Sequence, residues 1–374
     1  MDNFLLEVRR MPSVETVPPQ HLAGVRVEHP PLLVTTEGRT IRTVHEWEVR
    51  RAAIEADWRT YLGQPPYAAP PLSARVEAEY DFGTYTARLL RVPMEPGYAE
   101  TCYLMVPKER RAERLPAVIV FYYDVDTPAG HNLGSPRWQE GNEVRRFARH
   151  LVERGYVAMV QRWAFEGFLE AEGVDPEQTD LASRYAPAVA RQRRIAPQQK
   201  GMGRVVWDAA RIVDYVSGLD FVDPQRIACM GHSLGGKMAL YAAAFDRRIA
   251  AAIGSDLGIG LSFSNWDAPW YLGPEVREPD FPRDHHQLLA LIAPRPFLLI
   301  AGEDADGERS WPYLNAAREV YALYGAEERL GMCNHGTGHT PTWDALKAAY
   351  AWLDAQLGWE PAGQGAANAE SAGG

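Results

Sequence analysis

Gly231-His232-Ser233-Leu234-Gly235 is a Gly-x-Ser-x-Gly pentapeptide, set between an apolar run, Ile227 to Met230, and a helix-forming segment, Lys237 to Phe245. A serine on a tight turn from strand to helix presents its hydroxyl at the carboxyl edge of a sheet as a nucleophile. Both flanking residues must then be small, so that the two backbones can approach each other. An ordinary strand-to-helix turn could carry the same five residues, but here both strand and helix are legible. The helix N-terminus beneath Ser233 offers unpaired N–H groups and partial positive charge, so the N–H of Leu234 is expected to donate to a tetrahedral oxyanion.

A hydroxyl nucleophile needs a base. Gly338-His339-Thr340-Pro341 follows the apolar Leu330 to Cys333 and precedes a helix-like stretch from Trp343 to Leu357, which puts His339 in a loop at the end of the last strand. A carboxylate that accepts the imidazole N–H would fix its tautomer and stabilise the imidazolium. It should follow the strand Phe297 to Ala301, where Asp304 and Asp306 both qualify by position. His335 stands four residues before His339, but Gly336 and Gly338 between them disfavour a helical metal pair. It is read as structural, and His285-His286 as capping and packing residues. No metal and no other cofactor is expected.

These residues need a scaffold. Short continuous apolar runs, Ala117 to Phe121, Tyr156 to Val160, Arg226 to Met230, Ala250 to Gly254 and Phe297 to Ala301, read as parallel strands buried on both faces. Val205, Ala209, Ile212 and Val216 mark one face of an intervening helix that ends near Gly218. Strand, helix and strand in series predict an α/β fold with a doubly wound, mostly parallel sheet. Alternation from Arg75 to Lys108 predicts an antiparallel hairpin leading into it. Residues 1–70, with a helix over Val44 to Tyr61, read as an N-terminal extension packed on a main domain of 71–360. The tail, 361–374, lacks periodicity and is expected to be disordered. Segment 257–287 is long for a connection and carries Phe263, Asn265, Trp266, Asp267, Trp270 and Tyr271, so it reads as a lid or pocket wall.

The run from Phe221 to Lys237 resembles the dienelactone hydrolase and acetylxylan esterase branch of the α/β-hydrolases. Leu288 to Leu298 and Gly338-His339-Thr340 extend the resemblance, which covers about Leu115 to Leu357. It implies the α/β-hydrolase fold and ester hydrolysis through an acyl-enzyme, with Ser233 as nucleophile and His339 as base. In this branch the acid stands a few residues before a Trp that opens the next helix. That selects Asp306, ahead of Trp311, over Asp304. The chain is also similar to glucuronoyl esterases, which place the acid after the preceding strand. Asp256, in Ser255-Asp256-Leu257-Gly258, is therefore a third candidate, against a plainer role in capping the sheet edge.

Lys237 resembles a lysine that contacts sugar in glucuronoyl esterases, and with Trp266 and Trp270 it would suit a carbohydrate ester; each also fits ordinary packing. The departure from these relatives lies after the first parallel strand, where they carry His-Gly for the second oxyanion donor. This chain has Phe121-Tyr122-Tyr123-Asp124-Val125-Asp126. The main-chain N–H of Tyr123 or Asp124 would have to serve, and the two carboxylates are unfavourable there unless they point away.

Composition bounds the partners. The 374 residues are 46% apolar and 24% charged, an ordinary globular balance. With 39 Lys and Arg against 49 Asp and Glu the net charge is −10, and no basic stripe suits a nucleic acid. No run would span a bilayer, Met1 to Ser13 lacks the apolar core of a secretory signal, and Cys102, Cys229 and Cys333 form no disulfide framework. A cytoplasmic enzyme acting on a small-molecule or carbohydrate ester, without membrane or nucleic-acid partners, is the expectation. One rival is a peptidase of the prolyl oligopeptidase kind, which needs a propeller that the N-terminal extension is too short to supply. Another is a catalytically silent hydrolase-fold binding protein, disfavoured by an intact Ser233 and His339.

Overall fold

β1 (Arg75–Asp81), β2 (Tyr85–Glu95) and β3 (Tyr98–Pro107) form an antiparallel meander. β4 (Leu115–Tyr122), β5 (Val157–Arg162), β6 (Val222–His232), β7 (Ile249–Ser255), β8 (Phe297–Ala301) and β9 (Leu330–Asn334) are parallel to one another. All nine lie in one sheet, in the order β1-β2-β3-β5-β4-β6-β7-β8-β9. The computed structural model from which these elements are taken describes residues 13–361 apart from 136, 139 and 175–179; the tail predicted over 361–374 lies outside the described residues but for its first.

Every residue of β4 and of β8 is buried, which is why these strands read as unbroken apolar runs. The covering helices are α1 (Val44–Leu62), α2 (Asp126–Ala129), α3 (Phe147–Glu153), α4 (Ala164–Ala171) and α5 (Leu181–Ile195), followed by α6 (Gly201–Ser217), α7 (Leu234–Phe245), α8 (His286–Ile292), α9 (Trp311–Leu323) and α10 (Trp343–Leu357). The hairpin predicted before the parallel strands is β2 and β3, and it gains a third strand, β1, because the chain also reverses at Gly83, with φ of 79°, ahead of β2.

Thr43 and Glu46 close a capping box at the start of α1. The helix buries Trp47, Ile54 and Trp58, and Arg51 donates to the Leu291 carbonyl at 2.7 Å. The described residues before β1 thus supply one long helix and connecting segments, not a propeller. No helix among the described residues is long and apolar enough to cross a membrane.

Strand order fixes where a ligand can bind. From β4 the chain moves to β5 on one side, then crosses to β6 on the other and continues outward to β9. The segments leaving β4 and β6 therefore diverge, and a crevice opens at their carboxyl ends. Tyr123-Asp124 and Ser233 are the residues placed there.

Candidate active site

Ser233 follows β6 and has φ of 56° and ψ of −116°, a conformation rare for a residue with a side chain. Such backbone costs on the order of 1–3 kcal/mol and is held by its surroundings. A Cβ on Gly231 would fall 2.2 Å from the Gly235 carbonyl carbon, and one on Gly235 would fall 2.0 Å from the Phe121 carbonyl oxygen. Both flanking glycines are thus demanded by backbone contact. The Ser233 N–H donates to the Ser255 carbonyl at 2.7 Å, which ties the turn to β7. Leu234 is the first residue of α7, where an N–H has no partner within its own helix.

The Ser233 hydroxyl and His339 Nε2 are 2.9 Å apart, so the structure brings the expected nucleophile and base together. His339 is exposed, in the loop between β9 and α10. Among the described residues no carboxylate lies within ion-pairing distance of its ring.

The three candidate aspartates have different surroundings. Asp306 does not meet His339: its carboxylate accepts from the Gly258 and Ile259 N–H groups, each at 2.8 Å, and from Ser310 Oγ at 2.9 Å. It anchors the chain beyond β7, and burial raises its pKa. Asp304 is exposed, and a Cβ on Gly338 would fall 2.9 Å from its Oδ2. Asp256 is 1% exposed and has φ of 47°. Its Oδ1 faces His335 Nε2 at 3.1 Å, and Ser255 Oγ donates to its Oδ2 at 2.7 Å. Burial opposes its charge, yet the hydrogen bonds of His232 and His335 hold its carboxyl well below the ordinary range. A Cβ on Gly302 would fall 2.0 Å from the Gly338 carbonyl and 2.4 Å from Asp256 Oδ1, so Asp256 lies directly beneath the loop that carries His339.

The pocket over Ser233 and His339 has a volume of about 240 Å³ and is walled by Tyr122, Tyr123, Asp124, Asn142 and Arg145. Asp124 turns its carboxylate back onto the Thr127 N–H at 2.7 Å, and burial raises it to about 6. Asp126 accepts from the N–H groups of Leu133 and Ser135. The acidic pair is thereby taken up by its own loop. Tyr123, Asp124 and Arg137 also line a larger neighbouring chamber of about 600 Å³, together with Arg91, Asp126 and Glu166 among others. Arg137 crosses the Tyr123 ring at 4.6 Å and pairs with Glu166 at 2.5 Å.

Lys237, Trp266 and Trp270 are not brought to this pocket. With Asp306 holding Gly258 and Ile259, segment 257–287 folds inward: Trp266 is fully buried and donates to the Gly258 carbonyl at 2.7 Å. Lys237 Nζ sits 3.7 Å over the Trp266 ring and donates to Ser264 Oγ at 2.9 Å. Trp270 packs on Tyr185, 5.1 Å between centroids. The sequence pointed to Tyr122, Tyr123 and Asp124 in the pocket wall but missed Arg137, Asn142 and Arg145. The stretch that carries those three has no apolar periodicity from which a facing side chain could be read. Among the described residues no three His, Cys, Asp or Glu side chains gather as metal ligands would.

Comparison with known proteins shows what the chain resembles. A model of the acetyl xylan esterase family matches residues 195–256. A 4-O-methyl-glucuronoyl methylesterase of Sodiomyces alcalophilus is 30% identical over 159 residues, which is 35% of this chain and 32% of that protein. One from Phanerochaete chrysosporium is 28% identical over 199 residues, 44% of this chain and 40% of that protein. The chain thus spans less than half the length of these relatives. Among solved structures, a glucuronoyl esterase from Solibacter usitatus matches 89% of this chain and 99% of its own, with a TM-score of 0.67 at 20% identity. The fold is shared with it.

Proposed function

Because the chain is an α/β-hydrolase related to the acetyl xylan and glucuronoyl esterases, we propose that it hydrolyses a carboxylic ester, on a carbohydrate, through an acyl-enzyme on Ser233. The observation that carries this is the 2.9 Å contact of Ser233 Oγ with His339 Nε2 on a strained turn at the sheet's switch point.

In this mechanism His339 Nε2 takes the hydroxyl proton as Ser233 Oγ attacks the ester carbonyl, forming the tetrahedral oxyanion. The Leu234 N–H at the start of α7 stabilises that oxygen, helped by the partial positive charge of the helix N-terminus. Collapse breaks the carbonyl–alkoxide bond, and His339 returns the proton to the leaving alcohol. Water, deprotonated by the same imidazole, then attacks the acyl-enzyme; the acid leaves and Ser233 regains its proton. We take Asp256 as the carboxylate that supports the imidazolium. Its burial, its lowered pKa and its place beneath Gly338 support this over Asp304, and the bonds of Asp306 to Gly258 and Ile259 give that residue a different task. The polar chamber beyond Tyr123 offers room for a sugar unit next to the small catalytic pocket.

The test is turnover of p-nitrophenyl acetate by the purified protein and by Ser233→Ala, with an organophosphonate probe and mass spectrometry to locate the label. Activity and labelling at Ser233 should vanish together, kcat falling by on the order of 10⁶. A folded wild type that neither turns over nor labels would overturn the enzyme and leave a binding role.

A further inference from the structure

Arg145 closes the short 3-10 turn Glu143–Arg145 and lines the pocket of Ser233 and His339. Its Nη2 donates to Thr340 Oγ1 at 2.8 Å, one residue beyond the base, and the Tyr122 hydroxyl is a second neutral partner. Its Nε is buried without a hydrogen-bond partner. Among the described residues no carboxylate pairs with it. Its neighbours are all matched: Arg146 with Glu143 at 2.7 Å, Arg149 with Glu153 at 3.0 Å and Arg137 with Glu166 at 2.5 Å. The nearby carboxylates of Asp124 and Asp126 are occupied by backbone N–H groups.

A cation partly withdrawn from water without a counter-charge loses hydration that only an anion fully restores. Other arginines without a carboxylate partner, such as Arg295 and Arg318, are spent on backbone carbonyls, whereas Arg145 lines the pocket of Ser233 and His339. Its planar fork fits the two oxygens of a carboxylate, and the contacts with Thr340 and Tyr122 leave it held in place by neutral groups.

We infer that Arg145 reads a free carboxylate borne by the ester substrate beside its reacting carbonyl, so that the site favours esters of anionic compounds over neutral ones. This rests on Ser233 being an ester nucleophile. The carboxylate can belong to the acyl part, as in a half-ester of a dicarboxylic acid, or to the alcohol part, as in an acylated sugar acid. The chemistry at Arg145 is the same.

Matched substrates test it in wild type, Arg145→Gln and Arg145→Lys: p-nitrophenyl acetate against mono-p-nitrophenyl succinate, and acetylated glucose against acetylated glucuronic acid. The wild type should prefer the charged member of at least one pair, and that pair identifies the side carrying the carboxylate. In Arg145→Gln the charged-to-neutral ratio of kcat/KM should fall about 10- to 100-fold, mainly through KM, with Arg145→Lys retaining part of it. Equal losses on charged and neutral members would make Arg145 an oxyanion donor and overturn the inference. A wild type that hydrolyses both pairs without preference would overturn it too, while leaving the hydrolase standing. A wild type that hydrolyses none would overturn both.

Discussion

Asp256 reaches His335, not His339: Oδ1 lies 3.1 Å from Nε2 of His335, whose Nδ1 meets Thr337 Oγ1 at 2.6 Å. The buried carboxylate therefore pins the start of the loop whose far end carries the base.

The three aspartates separate by two readouts. Asp256→Asn should lower kcat/KM on p-nitrophenyl acetate by about 10²- to 10⁴-fold, the scale of a disabled general base. Asp306→Ala leaves the Gly258 and Ile259 N–H groups unbonded and should cost about 2–5 kcal/mol of stability, read as a fall in Tm. Asp304→Asn should change neither quantity much. If Asp304→Asn instead abolishes turnover and Asp256→Asn does not, the assignment passes to Asp304.

Gly235→Ala should both destabilise the protein, by about 1–3 kcal/mol, and cut kcat more than a hundredfold. The added methyl would meet the Phe121 carbonyl at 2.0 Å and push the turn off β4. Circular dichroism melting and a p-nitrophenyl acetate assay check the two together, and a variant with wild-type values in both would refute the contact.

Lys237 gives a pH dependence of defined sign. Burial depresses its amine from 10.5 to about 7. Between those values the unfolded chain holds a proton that the folded chain does not, so this group's contribution to stability rises with pH through that window and is least favourable below about 7. Lys237→Met removes the titration. Urea unfolding should show the variant gaining on wild type as pH falls from 9.5 to 6, and an unchanged difference would count against a neutral buried amine.

Ser233 and His339 were legible because each depends on local pattern, a Gly-flanked turn after one apolar strand and a loop after another. The parallel strands were legible for the same reason: burial on both faces leaves unbroken apolar runs in the sequence. The surroundings of Lys237 and Trp266 were not, because a carboxylate 47 residues beyond Ile259 decides which way their segment folds. Arg145 was equally hidden, since its exposure to the pocket follows from a turn with no periodic signature and from a contact with Thr340, 195 residues away. Residue types pointed to Ser233 and His339, whereas long-range hydrogen bonds decided the surroundings of the three aspartates and of the pocket wall.

Ser233 and His339 have very different structural settings. Ser233 extends β6, flanked on both sides by β4 and β7, and its own N–H continues the ladder to Ser255. His339 stands exposed beyond β9, the last strand of the sheet, whose outer edge is met by a bridge from Glu15 to Met332, and glycines at 336 and 338 precede it. Ser233 is thus positioned by the sheet and His339 by a loop, so the distance between them depends on the contacts that hold that loop, from His335 to Asp256 and from Thr340 to Arg145.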